Sequence, residues 1–398
     1  MSINRRIRLY HILISLACVY TGFTGATFVL YLYSFGYAPF IVNLLIASAV
    51  VSVLIAEIPS GAASDIWGNR IVLLISGITL AAANVLFLIS RGFTLLLAGQ
   101  VLSGISSAML SGSLDAWVFD SPGFPKEKIE GVCADKNKYQ SLVMLAGGLI
   151  GGLVADIGIR LNFALSIAAA LIFTLLVRIN IMEKRSNAGH GGFVSKMRAG
   201  VQKMGEVISD SFICCVRDRQ VRTIIVFSGL MTFSISAVFV SWSPLLNSYP
   251  GHNYSVIGFA WMLMQLAMAG GNAFSKLFTG QIKRHLPLTG LAIGIIVCAV
   301  AMTDSFYAAL VFILIFEFIL GIANPLREAM LNSHITSKAR ATILSFQSMF
   351  SSLMYFISML ITGWIASVFS LQTALLFSGL CLILIALLYA QVIWKKEP

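Results

Sequence analysis

A carboxylate in the middle of an apolar segment is the residue of this sequence best placed to do chemistry. Glu317 stands between two phenylalanines, about halfway along a strongly apolar stretch. An ionised carboxylate at that depth in a bilayer costs about 3 kcal/mol or more, so such residues mark ion and proton pathways. The sequence therefore predicts a proton or substrate-cation site at Glu317. The alternative is a structural hydrogen bond to Gln100, Gln265 or Gln347.

Polar side chains recur at helical spacing on four segments of the chain. Steps of three and four residues place each set on one face of a helix. The sets are Tyr20, Thr24, Thr27 and Tyr31 on the first helix, Gln100, Ser107 and Ser111 on the fourth, Ser228, Thr232 and Ser236 on the seventh, and Glu317 and Asn324 on the tenth. Polar groups in lipid are costly unless they face water or each other, so we expect a shared aqueous cavity. The alternative is that these small residues only allow close helix packing.

The composition indicates a membrane protein. Hydrophobic residues make up 58% of the chain and charged residues 11%, and the mean hydropathy is +0.90. Apolar runs of about 20 residues, the length that crosses a bilayer as a helix, recur throughout. We predict an all-α protein of twelve membrane helices, beginning near Leu9, Pro39, Ile71, Phe93, Tyr139, Leu161, Val221, Tyr254, Leu286, Phe306, Ala341 and Leu371.

The positive charge is distributed by topology. The net charge is +11, and with a cytoplasmic N-terminus only Arg91 and Arg160 among the loop cations fall on the outer side. By the positive-inside rule both termini are expected in the cytoplasm. A nucleic-acid partner is not expected, since that needs a basic patch on a folded surface. The expected location is the bacterial cytoplasmic (inner) membrane, as a multi-pass protein.

The chain is predicted to consist of two halves of six helices each. Residues 1–182 and 221–398 are apolar, and the segment 183–220 between them is a polar, basic cytoplasmic linker. The stretch QVLSGI, starting at Gln100 in the fourth helix, has a counterpart EFILGI, starting at Glu317 in the tenth. This repetition places the two helices at equivalent positions of a six-plus-six architecture.

The break between the second and third helices carries the sharpest motif. The stretch GAASDIWGNR places Gly61, Asp65, Gly68 and Arg70 at the spacing G-x-x-x-D-x-x-G-x-R. This stretch resembles the signature loop of the major facilitator superfamily, although Asn69 stands where a second basic residue is usual. The resemblance implies an alternating-access transporter in which this loop helps to gate the cytoplasmic side.

Each residue of the loop has an expected physical role. The two glycines would permit a tight turn and close helix approach. Asp65 would face the positive end of the eleventh helix. Arg70 would be the cation near Asp115 and Asp120, two carboxylates that lie at the negative end of the fourth helix.

A second charged cluster is expected at the cytoplasmic ends of other helices, where we expect it to act as a second gate. Arg327 and Glu328 end the tenth helix and Arg340 precedes the eleventh, in a segment that resembles one found in bacterial members of the superfamily. Glu57, near the end of the second helix, is expected to be a salt-bridge partner. A plain charge network at the membrane interface is the alternative for this cluster.

Two further motifs of the superfamily are altered. The fifth helix contains AGGLIGGLVAD, which resembles the glycine-rich motif of antiporters but has Gly148 where proline is expected. Simple packing of small residues would explain the same glycines. In the fourth helix Gln100 occupies the place where many members carry an arginine credited with assisting proton transfer.

The function predicted is secondary active transport. The sequence contains no G-x-x-x-x-G-K-[ST] phosphate loop, no G-x-S-x-G elbow and no grouping with metal-ligand spacing, so we expect neither an enzyme nor a cofactor. We predict export of a small organic or amphipathic molecule coupled to protons, by a monomer in the lipid bilayer. The alternatives are an uptake symporter or facilitator, and a membrane sensor that kept the fold without transport.

Overall fold

The computed structural model describes residues 2–121, 123–182, 197–199, 201–202, 205, 219–333, 335 and 340–394. Within these residues, twelve helices are long and apolar enough to cross a membrane, as the sequence predicts. They are α1 (Ile3–Thr24), α2 (Pro39–Trp67), α3 (Asn69–Ile89), α4 (Phe93–Phe119), α5 (Ile129–Gly158), α6 (Leu161–Asn180), α7 (Arg219–Ser248), α8 (Tyr254–Phe274), α9 (Ile282–Ala301), α10 (Phe306–Asn332), α11 (Arg340–Val368) and α12 (Leu371–Trp394). The predicted linker lies almost entirely outside the described residues.

Several helices extend past the apolar runs that predict them. α5 begins at Ile129, ahead of the run that starts near Tyr139, because its first turns bury Val132 in the protein interior while charged residues face outward. α1 ends at Thr24, and a turn at residues 25–27 separates it from a short helical segment, Phe28–Tyr33. The polar stripe predicted on one continuous first helix therefore crosses a break.

The helices are grouped into two compact units. The first comprises Met1–Tyr31, Ser48–Lys203 and Tyr254–Trp261, and the second comprises Leu32–Ala47, Met204–Asn253 and Met262–Pro398. The first unit thus holds α1 and α3 to α6 with most of α2, and it also takes in the opening turns of α8. The second unit holds α7 and α9 to α12, the rest of α8 and the start of α2.

The same pattern of helix pairing occurs in both sets of six helices. In the first set α1 packs on α5 and α6, and α3 packs on α4 and α6. In the second set α7 packs on α11 and α12, and α9 packs on α10 and α12. This is the internal repetition that the matching hexapeptides of the fourth and tenth helices predict.

A compact apolar cluster anchors one end of the first unit. Leu9, Leu13, Leu114, Phe173 and Val177 are all buried there, on α1, α4 and α6. The cluster also includes Tyr10 and Trp117, which are large side chains with polar atoms. The cluster therefore holds one end of α1, α4 and α6 together.

Candidate functional site

The glycines of α5 lie on two faces that pack against different helices. Gly147 and Gly151 face α1, since a β-carbon on Gly151 would lie 2.1 Å from the backbone oxygen of Phe23. Gly148 and Gly152 face the opening turns of α8, within the first unit. Small residues spaced four apart let helix backbones approach this closely. The glycine-rich stretch is thus a two-sided packing surface.

Trp261 of α8 fills a slot whose floor is made of glycine. A β-carbon on Gly148 would lie 2.0 Å from Cδ1 of Trp261, and one on Gly25 would lie 2.9 Å from its Cζ2. The indole Nε1–H donates to the backbone oxygen of Met144 at 3.1 Å. The ring is therefore confined by α1 and α5 and tied to α5 by a hydrogen bond.

A second contact, nearer the start of α8, also joins this helix to α5. The backbone N–H of Ser255 donates to Oδ2 of Asp156 at 3.2 Å, so a carboxylate lies at the positive end of the α8 dipole. Between the two contacts, a β-carbon on Gly152 would lie 2.8 Å from Cα of Gly258. Backbone contact, an anion at a helix end and the tryptophan slot together join these two helices.

The signature stretch forms a one-residue break between two helices. α2 continues through Trp67, and α3 begins at Asn69. Gly68 between them has φ 84°, a conformation that glycine adopts without steric cost. The turn predicted at Gly68 is there. The turn expected at Gly61 is not, because Gly61 lies inside α2 with open space around its α-carbon.

Contacts across this break involve the residue that departs from the family pattern. The hydroxyl of Ser64 donates to Oδ1 of Asn69, which links the last turn of α2 to the first turn of α3. Arg70 donates from Nη2 to the backbone oxygen of Arg178 at the end of α6, at 3.0 Å. Arg70 thus lies at the negative end of a helix dipole, where a cation is stabilising. Asp65 is exposed, and its contact with the eleventh helix stays a prediction.

The sequence predicts Arg70 as the cation beside Asp115, but that cation is Lys136 of α5. Its Nζ donates to both carboxylate oxygens, at 2.9 and 3.0 Å, and the Tyr10 hydroxyl donates to Oδ1 at 2.6 Å. Three helices, α1, α4 and α5, are joined by this triad. Asp120 follows the end of α4 and is exposed.

The predicted polar stripes differ from helix to helix. On α4, Ser107 and Ser111 are exposed, as residues lining an open cavity would be, and Ser111 also donates to the Ala108 carbonyl of its own helix at 3.3 Å. On α1 and α7, Thr24, Thr232 and Ser236 donate to the carbonyl four residues earlier in their own helix, a geometry that satisfies a hydroxyl within its own helix. These three side chains are therefore satisfied without a cavity.

The other stripe residues are mostly buried against neighbouring side chains. The ring of Tyr20 stacks on that of Phe87, with centroids 6.2 Å apart. The hydroxyl of Tyr31 donates to the backbone oxygen of Phe87. Thr27 accepts from Asn162 at 3.3 Å. Ser228 is buried with no described partner for its hydroxyl, and Gln100 is also buried.

Glu317 is buried midway along α10. It is 3% exposed, and no described residue forms a hydrogen bond or an ion pair with its carboxylate. One turn later α10 approaches α8 closely, since a β-carbon on Gly321 would lie 2.3 Å from the backbone oxygen of Met268. The preceding residue, Phe316, packs edge-on against Phe239. The carboxylate therefore lies in an apolar, tightly packed stretch of the second unit.

The second charged cluster is only partly described. Arg327 donates to Oδ1 of Asn324 at 3.2 Å, and Glu328 is exposed. Glu57 is exposed on α2, and among the described residues no cation pairs with it. Arg340 begins α11, but its side chain lies outside the described part of the chain.

Two residues in these sites were missed by sequence interpretation. Lys136 carries a signal, because it is a lysine close to the membrane end of α5 and a carboxylate at the end of α4 needs a cation. Trp261 carries none, since its partners are glycines far away in the chain. Which helix packs on a glycine face is a matter of tertiary structure.

Comparison with known proteins places these features in a family. The family model described as Major Facilitator Superfamily matches residues 12–326. The chain is 26% identical over 223 residues to a molybdate-anion transporter of Xenopus tropicalis, a match that covers 54% of this chain and 46% of that protein. It is 21% identical over 280 residues to the quinolone resistance protein NorA of Staphylococcus aureus, covering 69% and 65%. The match thus spans about half the length of the molybdate-anion transporter and about two thirds of the length of NorA.

A solved structure has the same architecture. The nucleoside transporter NupG superposes with a TM-score of 0.79 and covers 100% of both chains, at 12% sequence identity. At that identity the likeness concerns the fold alone.

Proposed function

Because the chain belongs to the major facilitator superfamily, we propose that this multi-pass membrane transporter exports a small organic or amphipathic molecule in exchange for protons. It is a transporter and not an enzyme. The proposed setting is the bacterial inner membrane, with both termini in the cytoplasm and the monomer as the working unit. This orientation rests on the positive charges between the helices.

The observation that carries the proposal is the buried carboxylate of Glu317. An acid at the centre of a membrane helix, without a described cation beside it, is costly to keep ionised. Binding a proton removes that cost, and so does binding a cationic substrate. A side chain that binds either a proton or a substrate cation, but not both, can exchange one for the other.

The direction of transport is supported by α5. Its glycine faces resemble the motif of antiporters, and they hold the opening turns of α8 through Trp261 and Gly258. Alternating access requires such helix contacts to break and reform during each cycle. The relative named for quinolone resistance adds support for export of an organic molecule.

The signature stretch and the triad of Asp115, Lys136 and Tyr10 are the proposed gating elements. They lie at the ends of the helices that we place in the cytoplasm. Gly68 sets the angle between α2 and α3, and Arg70 joins α3 to α6. Asp115 with Lys136 and Tyr10 ties α1, α4 and α5 together. These contacts join helices within the first set of six.

The substrate class proposed is a neutral or cationic amphiphile. An acid such as Glu317 repels anions when it is ionised, and the exposed serines of α4 offer hydrogen bonds without charge. The relative named as a molybdate-anion transporter makes an oxyanion the competing class, so molybdate belongs in the test.

The experiment measures ethidium accumulation in cells that express the native chain, Glu317→Gln or Asp304→Asn. The native chain should lower accumulation, and a protonophore or Glu317→Gln should abolish the difference. Asp304→Asn is the matched control, because it removes an exposed acid just ahead of the same helix and should leave export intact. Membrane levels of all three proteins are compared by immunoblotting.

Two results would contradict the proposal. Ethidium export by Glu317→Gln that still collapses with the protonophore would remove this acid from proton coupling. Substrate-driven proton entry, measured for ethidium and for molybdate in vesicles with a pH-sensitive dye, would indicate uptake in place of export.

A further inference from the structure

A groove between α7 and α12 lies apart from the residues used in the proposed transport mechanism. Its volume is about 300 Å³, within the range of small-molecule sites. Its walls are apolar, formed by Val226 and Leu230 of α7 and by Ile385 and Leu388 of α12. Arg222 also lines the groove.

The groove opens on the lipid-facing surface of the helices. Val226 is 42% exposed and Leu388 is 53% exposed. On helices that cross a membrane, apolar side chains exposed to this extent contact acyl chains. Whatever fills the groove therefore reaches it from the bilayer.

Tyr389 supplies a polar group inside this apolar groove. Its ring stacks on Phe227 with centroids 4.1 Å apart, which holds the side chain in place. The residue is only 4% exposed, and its buried hydroxyl has no hydrogen-bond partner among the described residues. A buried hydroxyl without a partner is unfavourable, so it points to a ligand that brings its own polar atoms.

The positive charge at the start of α7 determines which kind of ligand the groove would bind. Arg219 and Arg222 both lie in the first turn of α7. The positive end of the helix dipole adds to their field. Basic residues where a membrane helix meets the surface attract anionic lipid head groups.

We propose that this groove binds one acidic phospholipid. The Arg222 guanidinium binds the phosphate, the acyl chain lies along Val226, Leu230 and Leu388, and the Tyr389 hydroxyl donates to the ester region. The head-group contacts carry the selectivity, because charge-assisted hydrogen bonds from arginine to phosphate are strong and directional. The site is independent of Glu317 and of the direction of transport.

The test uses the full chain purified in detergent and phosphatidylglycerol with a fluorescent acyl chain. Binding is followed by anisotropy and competed with unlabelled phosphatidylglycerol, phosphatidylcholine of the same chains, or inorganic phosphate. Phosphatidylglycerol should compete at about tenfold lower concentration than phosphatidylcholine, which corresponds to one head-group contact of about 1.4 kcal/mol. Inorganic phosphate at the same concentrations should not compete.

Three variants locate the binding. Arg222→Gln should weaken phosphatidylglycerol binding about tenfold, while Arg284→Gln should not weaken it. Arg284 is the matched control because it is an exposed arginine near the start of α9, at the same end of its helix. Tyr389→Phe keeps the stacked ring and should weaken binding severalfold, so it tests the site even if Arg222→Gln fails to fold.

The proposal is overturned by any of three results. Equal competition by the two lipids would remove the selectivity for an acidic head group. Equal effects of Arg222→Gln and Arg284→Gln, or no effect of Tyr389→Phe, would place binding elsewhere. Displacement by inorganic phosphate at lipid concentrations would make this a site for a free anion.

Discussion

The contact between Trp261 and Gly148 can be tested by adding a single methyl group. Gly148→Ala places a β-carbon 2.0 Å from Cδ1 of Trp261 and 2.9 Å from Nε1. The ring has little room to move, because its other side lies against Gly25 and its Nε1–H is bound to Met144. The substitution should therefore separate the start of α8 from α5.

The size of the effect follows from two terms. Forcing an extra methyl group into a packed interface costs about 1–3 kcal/mol, and losing the indole hydrogen bond costs about 1 kcal/mol. The packed arrangement of α5 and α8 should thus lose roughly 2–4 kcal/mol. At 1.4 kcal/mol for each factor of ten, its population relative to the separated arrangement falls roughly 30- to 700-fold.

The assay measures the accessibility of a cysteine introduced at Ile257. This residue is fully buried in the opening turns of α8. The native cysteines are first replaced, and the rate of reaction with a membrane-impermeant maleimide is then compared among variants. Gly148→Ala should react much faster than the parent. Gly131→Ala is the control on the same helix, since its β-carbon would meet no atom within 4 Å.

A double-mutant cycle distinguishes this contact from a general loosening of α5. In a Trp261→Ala background the methyl group of Gly148→Ala has no ring to strike, so it should change the labelling rate very little. The reasoning is refuted if Gly148→Ala reacts at the parental rate. It is refuted equally if Gly131→Ala matches Gly148→Ala, or if the effect of Gly148→Ala is the same with and without Trp261.

Further predictions concern the signature break and the Asp115 triad. Gly68→Ala should lower the free energy of unfolding by about 1–2 kcal/mol, because φ is positive there. Gly61→Ala, inside α2 with open space, should be neutral or stabilising by up to about 1 kcal/mol, and thermal unfolding in detergent compares the two. Lys136→Ala should destabilise by about 1–2 kcal/mol, because Asp115 and Tyr10 lose a charged partner, whereas the exposed Lys128→Ala should not. Equal melting temperatures for either pair would contradict the assigned role.

The membrane fold could be predicted because it depends on local composition. Each crossing needs an apolar run of one length, and its backbone must be satisfied within the helix. The starts predicted at Pro39, Phe93, Leu161 and Leu371 coincide with those of α2, α4, α6 and α12. The predictions were less close at α1 and α5, where amphipathic turns extend the helix past its apolar run.

The candidate sites were predictable only in part. The spacing of Gly68 and Arg70 identified a break that the structure contains. The same spacing also suggested a turn at Gly61, where the helix simply continues. The stripe on α1 and α7 looked like a cavity wall, but three of its hydroxyls bond to their own helix, which residue type and spacing alone do not distinguish.

The sequence by itself determined that this chain is a membrane protein of two similar six-helix sets with a superfamily signature. Hydropathy, charge asymmetry and motif spacing are properties of short stretches, and the bilayer acts on each stretch separately. Only the tertiary structure decided that Lys136 pairs with Asp115, that Trp261 fills the slot at Gly148, and that Glu317 is buried without a described partner. Those contacts form between residues far apart in the chain. Many residues of similar chemistry could make them, and only the packing of the helices determines which ones do.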